Sequence, residues 1–274
     1  MFWKSRPKPT ATETDQAWLI EAIPVILRVF GPERLLRLPT YTPNTKYFPH
    51  DFKGDERDAE FVLGQVCATM DAPRSRIDLM FFDDGSRQFD DGLQLTTADR
   101  KGSSSGAAGT YSEDTAGRYK ITIDSKTLPN VQNLIATIAH EVAHVKLLGE
   151  GRIEHGDPHH EIWTDLTVIA HGYGIFQGNS AFAFNQWQGS SHQGWATQRI
   201  GYLPLEVIGF ALALLTVMKK DEPDWTRYLS SSFAPHFRKN YKFILEYKEI
   251  VDQAIKNLTE EHSELEAGQD QTML

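Results

Sequence analysis

The 274-residue chain contains one cysteine, Cys67. An intramolecular disulfide is therefore impossible, and the fold does not depend on an oxidising compartment. Cys67 lies in a predicted helix beside Phe61, Val62 and Val66. This position is typical of a small buried side chain and not of a nucleophile.

Positive charge is also scarce. The chain has 28 Lys and Arg residues against 37 Asp and Glu residues, which gives a formal net charge of −9 at pH 7. Nucleic acids and anionic membrane surfaces are bound by clustered cations. We therefore expect neither nucleic acid nor membrane as a partner, and the charge does not bear on the oligomeric state.

Long apolar runs are absent. The longest one, residues 203–218, is interrupted by Pro204 and Glu206 and is too short to span a bilayer, so we expect a buried core helix there. The N-terminal residues lack the apolar stretch of a secretory signal. The expected location is cytoplasmic.

Hydrophobic periodicity predicts both strands and helices. Residues 77–82 and 119–124 have the pattern of strands, and Tyr119, Ile121 and Ile123 alternate with polar residues in the second. Helices are expected over 15–30, 56–70, 129–148, 159–171, 203–219 and most of 224–258. The aromatic segment 175–198 is expected to be irregular, and the Gly/Ser-rich segment 99–118 to be a mobile loop or a flap beside a site.

The helix expected over 129–148 begins with Pro129 in its first turn and carries the motif His140-Glu141-x-x-His144. At about 100° per residue, the two histidines share one face, and Glu141 points about a quarter turn away. Small and apolar residues surround them, as in a buried helix. Two buried imidazoles need polar partners, and one divalent metal ion satisfies both. Glu141 lies where a general base for a metal-activated water is needed.

The motif needs a third ligand, because catalytic zinc usually has three protein ligands and one water. Glu161 and Asp165 are four residues apart and share one face of the next predicted helix. Glu161 can complete the site, and Asp165 can accept a hydrogen bond from a ligating histidine. The alternative third ligands are His155, Asp157, His159 and His160.

The pattern His140-Glu141-x-x-His144 followed by Glu161-x-x-x-Asp165 resembles the gluzincin branch of the zincin metallopeptidases, the thermolysin-like arrangement. The resemblance implies that both histidines and Glu161 bind Zn²⁺. It implies that Glu141 activates water and then passes the proton to the leaving amine, and that Asp165 orients the first histidine.

The resemblance covers roughly residues 119–175. In that family the active-site helix follows a sheet whose edge strand binds the main chain of the substrate. His160 departs from the family pattern, in which an asparagine often precedes the glutamate. An oxyanion-stabilising residue is also required, for which the candidates are His171, Tyr173, His192 and Tyr202.

These observations predict an α+β, zincin-like fold in which a small sheet packs on the motif-bearing helix and the remainder is mostly helical. A peptide could add along the exposed edge of the strand 119–124. The expected organisation is a flexible N-terminal segment (1–13), a helical and strand-containing region (14–118), a zincin-like metal-site region with C-terminal helices (119–258) and an acidic tail (259–274).

The predicted function is zinc-dependent hydrolysis of peptide bonds in a peptide or protein substrate, with Glu141 as general base. One alternative is a non-catalytic interaction or regulatory protein in which zinc only links two helices. Glu141 and the scarcity of cysteine argue against it, since closed structural zinc sites favour thiolate ligands. Another alternative is a zinc hydrolase that acts on a non-peptide amide.

Overall fold

A computed structural model of the protein describes the backbone of residues 7–82, 108–187 and 203–270, and the side chains of 7–82, 108–181 and 203–259. The described residues form a mixed α+β structure, as predicted, with one small sheet among many helices. The helices are α1 (Glu13–Phe30), α2 (Pro32–Arg37), α3 (Glu56–Met70), α4 (Val131–His144), α5 (His160–Val168), α6 (Gly174–Trp187), α7 (Leu205–Met218), α8 (Ala234–Glu246) and α9 (Glu249–Asp270). The strands are β1 (Ile77–Phe82), β2 (Gly109–Glu113) and β3 (Tyr119–Asp124).

The three strands are ordered β1-β3-β2, with β1 parallel and β2 antiparallel to β3. The strands predicted over 77–82 and 119–124 are confirmed as β1 and β3. The expectation of an exposed edge at 119–124 is wrong, because β3 is central and hydrogen-bonds to a neighbour on each side. The edge strands are β1 and β2, and β2 lies in the segment 99–118, for which a loop or flap is the expectation from the sequence. Residues 99–107 of that segment lie outside the described residues.

Helix α4 follows β3 after a short 3₁₀ turn, Ser125–Thr127. Its N-cap is Asn130, whose side chain accepts a hydrogen bond from the Asn133 N–H. Pro129 therefore precedes the helix and does not lie in its first turn. Every residue from Leu134 to His144 is buried. This confirms the buried helix inferred from the apolar residues around the motif.

The environment of α4 explains this burial. The helix packs against α3, α5 and α6 and against the strands β2 and β3. After His144 the chain continues as one turn of π-helix, Val145–Gly149. The motif thus lies at the C-terminal end of a helix that is buried from Leu134 onward.

The segment after α5 is more regular than predicted. A π-helical turn, Ile169–Tyr173, contains Gly172 at φ 93°, and the chain then continues as α6. The positive φ of Gly172 interrupts the helix with a kink, and helical structure resumes directly after it. The part of 175–198 that the structure describes, as far as Trp187, is helical and not irregular.

Two polar residues of α6 form hydrogen bonds with residues of α4. Asn179 donates to Gln132, and Ser180 donates to Asn133. Hydrogen bonds between helices cannot be predicted from local hydrophobic periodicity. They explain why α6 is helical although its sequence has no clear amphipathic pattern.

The chain divides into two compact units, Tyr41–Leu203 and the combination of Met1–Thr40 with Pro204–Leu274. We call them the sheet unit and the helical unit. In the helical unit, the apolar run predicted to be a core helix is confirmed as α7, which is buried almost throughout and packs against α8, α1 and α9. Within the described residues, no helix is both long and apolar enough to cross a membrane.

Candidate metal centre

The structure brings together three of the residues that the sequence singled out. His140 and His144 on α4 and Glu161 on α5 each place one ligand atom within 4.8 Å of the others. The Nε2 atoms of both histidines face the same carboxylate oxygen, Glu161 Oε2, at 3.0 and 3.5 Å. The two imidazole rings are nearly perpendicular, with their centroids 4.8 Å apart. Two nitrogens and one oxygen thus converge on one small volume.

Asp165 fixes the other side of the His140 ring. Its fully buried carboxylate lies 3.1 Å from His140 Nδ1, so the ring donates this hydrogen and leaves Nε2 toward Glu161. Asp165 also accepts hydrogen bonds from Gln177 Nε2 at 2.6 Å and from the Leu203 N–H at 2.7 Å. The carboxylate is therefore held from three directions and keeps the imidazole in place.

Thr164 has the equivalent role for His144, and no pattern in the sequence indicates it. Its hydroxyl donates to the His160 carbonyl at 2.8 Å and lies 3.2 Å from His144 Nδ1. Because the hydroxyl hydrogen is already engaged, Nδ1 of His144 must be the donor in the second contact. Both histidines therefore carry their hydrogen on Nδ1 and point Nε2 at Glu161.

The charges of the centre are strongly coupled. Burial alone would raise the pKa of Glu161, but its contacts with the His140, His144 and His160 rings hold it far below its usual range. Burial disfavours the charged form of His140, and the Asp165 and Glu161 carboxylates outweigh it and raise its pKa well above the ordinary value. For His144 burial dominates and lowers the pKa. A cationic species is favoured where the two Nε2 atoms meet Glu161.

Glu141 lies beside this centre, on the same helix, and is 3% exposed. Burial raises its pKa to about 8, with a smaller opposing effect of His140. A carboxyl group with a pKa near neutrality can accept and return a proton during a reaction.

The position of Glu141 depends on Gly109, the first residue of β2. A Cβ atom at Gly109 would lie 2.9 Å from Glu141 Oε1 and 2.8 Å from Thr137 Cγ2. Real Cβ atoms do not approach other atoms so closely, so only glycine lets the strand lie against this carboxylate. The Thr137 hydroxyl is buried at the same place, with no hydrogen-bond partner among the described residues. Gly109 was counted only as part of a flexible segment in the sequence.

None of the alternative third ligands is among the three converging residues. His155 is exposed, and the His159 side chain is 57% exposed and lies 3.6 Å from Asp157. Asp157 Oδ1 caps the backbone N–H of His159. His160 contacts Glu161 but is not one of the three converging residues.

The observed hydrogen bonds of two oxyanion candidates, Tyr173 and His171, are made with residues outside the centre. The Tyr173 hydroxyl is bonded to Thr69 on α3, and His171 Nδ1 donates to the Thr167 carbonyl. His192 and Tyr202 lie outside the described residues. An aromatic residue that the sequence did not single out is closer, since Tyr111 on β2 stacks on the His144 ring at 6.0 Å.

Comparisons with known proteins give no further information on this centre. No family model matches the chain, and neither a curated protein nor a solved structure matches it.

Proposed function

We propose that the protein is a zinc-dependent metallopeptidase with the centre formed by His140, His144 and Glu161. The observation that carries the proposal is the convergence of two Nε2 atoms on Glu161 Oε2, with both Nδ1 atoms engaged by Asp165 and Thr164. Two neutral imidazoles and one carboxylate are the ligand set typical of catalytic zinc in peptidases.

The donor set fits a divalent cation. With Nδ1 protonated, each Nε2 presents a lone pair, and Glu161 Oε2 presents negative charge to both. This arrangement needs a positive species among the three atoms, and a metal ion supplies it without protonating the rings. When bound, zinc would polarise a carbonyl group and make a water molecule more acidic.

Glu141 is the proton carrier in this proposal. Its carboxylate takes the proton from the attacking water and delivers it to the leaving nitrogen of the amide. Its burial against Gly109 keeps bulk water from competing for the proton.

The proposed fold is zincin-like, with β2 as the edge strand beside the active-site helix. Within the described part of the chain, β2 pairs with β3 on one side only. Gly109 at its start contacts Glu141, and Tyr111 stacks on His144. A peptide that adds to β2 would therefore pass along the centre.

The proposal is tested by incubating zinc-loaded protein with a mixed peptide library and identifying cleavage products by mass spectrometry. Glu141→Gln keeps the shape of the side chain and removes the base, so cleavage should fall by about 10²–10⁴-fold with zinc content unchanged. Glu154→Gln, at an exposed position, is the matched control and should cleave like wild type. Equal cleavage by wild type and Glu141→Gln would refute the role of Glu141.

The alternatives give different results in the same experiment. A zinc-linked interaction protein would bind zinc and cleave nothing, with or without Glu141. A hydrolase of non-peptide amides would leave the peptide library intact and cleave small acylated amines in a manner that depends on Glu141. A cytoplasmic location stays a prediction from the sequence.

A further inference from the structure

His160 contacts the centre, but its contacts differ from those expected of an additional metal ligand. It is the first residue of α5 and directly precedes Glu161. Its Nδ1 lies 2.9 Å from the Asp157 carbonyl oxygen, and its Nε2 lies 3.1 Å from Glu161 Oε1. Its side chain is 22% exposed, compared with 3% for His140 and 6% for His144.

Both ring nitrogens of His160 have partners. A backbone carbonyl can only accept a hydrogen bond, so Nδ1 carries a hydrogen toward Asp157. Nε2 faces Glu161 Oε1 and not Oε2, which faces the other two histidines. His160 is accordingly not among the three residues whose ligand atoms converge.

The two oxygens of Glu161 are divided between different partners. Oε2 faces Nε2 of His140 and of His144, whereas Oε1 faces His160. A carboxylate that is held through one oxygen has only the other available for a metal ion. The hydrogen bond from His160 therefore sets both the orientation of Glu161 and the number of oxygens it offers.

We propose that His160 is a positioning residue that holds Glu161 by Oε1, so that the metal ion is bound by Oε2 alone and by three protein ligands in total. The inference rests on the proposed metal site. It predicts a coordination position open to water and substrate, whereas ligation by His160 would close the site with a fourth protein ligand.

The number of imidazole ligands tests this directly. X-ray absorption at the zinc edge of the zinc-loaded wild-type protein should show two imidazoles, and a fit that requires three overturns the inference. This readout does not depend on activity. A wild-type protein that takes up no zinc overturns both the inference and the proposed function, so the two failures are distinguishable.

Variants of His160 supply the second measurement, the dissociation constant for zinc in a competitive chelator titration. His160→Leu removes the hydrogen bond and should weaken zinc binding about 10–100-fold, the usual effect of losing a group that orients a ligand. His160→Gln can still donate an N–H to Glu161 and should bind zinc within a few-fold of wild type. Equal and large losses in both variants would identify His160 as a ligand.

His159→Leu is the matched control. It changes the neighbouring histidine, which is mostly exposed and has no contact with Glu161 among its observed ones. Zinc binding by this variant should equal that of wild type. If His160→Leu does not fold, His160→Gln and the absorption measurement still decide the outcome.

Discussion

At the scale of single residues, a few hydrogen bonds decide what the two histidines can do. The spacing of His140, His144, Glu161 and Asp165 was readable from the sequence, because residues four apart share a helix face. The structure places these four side chains together. That His140, His144 and Glu161 bind zinc stays a prediction.

Other residues of the centre could not be predicted from local spacing. The contact of Thr164 with His144 and the division of the Glu161 oxygens depend on how α4 and α5 meet. The spacing of residues along the chain does not specify how these two helices pack against each other. Gly109 is a similar case, because it is significant only once β2 lies against Glu141.

Asp165 should matter for zinc binding although it does not bind zinc. His140, Gln177 and the Leu203 N–H all donate to the Asp165 carboxylate. Asp165→Asn replaces one carboxylate oxygen with an N–H₂ group, which cannot accept, and makes the other oxygen a weaker acceptor. We expect zinc affinity to fall about 10–100-fold. Competition with a fluorescent chelator measures it, and Asp157→Asn is the control. Unchanged affinity would show that Asp165 does not orient His140.

At the scale of elements, strong hydrophobic periodicity predicted helices and strands correctly, whereas Gly/Ser-rich composition did not predict a loop correctly. The helix α3 and the strands β1 and β3 were predicted because buried and polar residues recur at their periods. Strand β2 was missed because its small and polar residues lie in a Gly/Ser-rich segment. Its identity as a strand depends on antiparallel pairing with β3, from which five residues, 114–118, separate it.

The contact between β2 and α4 gives a prediction for Gly109→Ala. The added methyl group must displace Glu141 or Thr137, so we expect a loss of roughly 1–3 kcal/mol of unfolding free energy, as for overpacked sites. Peptide cleavage should also fall, because Glu141 moves. Gly64→Ala, in α3 with open space around it, should be neutral or stabilising. Denaturant unfolding measures both, and an undiminished stability of Gly109→Ala would contradict the close approach.

The start of α3 gives a prediction about pH. Buried Asp58 accepts hydrogen bonds from the Lys53, Gly54 and Asp55 N–H groups and contacts His50 at 2.8 Å. Burial would raise the pKa of Asp58, but these hydrogen bonds outweigh it and lower the pKa below 3.8. The ionised carboxylate therefore stabilises the fold at neutral pH. That stabilisation is lost as the pH falls through the folded-state pKa.

Asp58→Asn should lower the unfolding free energy by about 2 kcal/mol at pH 7, the usual contribution of hydrogen bonds to a charged group. The difference from wild type should shrink as the pH falls below about 4, the ordinary pKa of an aspartate. Urea unfolding at a series of pH values measures it. A difference that is constant with pH would mean that the charge of Asp58 is not what stabilises this segment.

At the scale of the whole molecule, the candidate centre belongs to one of two compact units. The sheet unit holds the sheet, α4 and α5, and the helical unit combines the N-terminal helices α1 and α2 with α7, α8 and α9. The amino-acid composition does not change at the limits of these units. A unit built from both ends of the chain cannot be recognised from local composition, because its contacts join residues more than 200 positions apart, such as Thr10 and Asn240.

This division predicts where zinc should stabilise the protein. A ligand at 100 times its dissociation constant stabilises the folded state by about 2.7 kcal/mol. Amide hydrogen exchange in α4 and α5 should therefore slow by up to about 100-fold when zinc is added. Amides of α7 and α8, in the helical unit, serve as the internal reference. Protection that is absent from α4 and α5 would contradict binding at the proposed centre.

The most direct test of the central claim is the zinc content of the purified protein and of a Glu161→Ala variant, measured by native mass spectrometry. Wild type should carry one zinc ion per chain after equilibration with a stoichiometric amount. Glu161→Ala, which removes one of the three converging ligands, should carry almost none under the same conditions, and the control Glu154→Ala should match wild type. A wild-type protein without zinc, or a Glu161→Ala variant that retains it, would contradict the account.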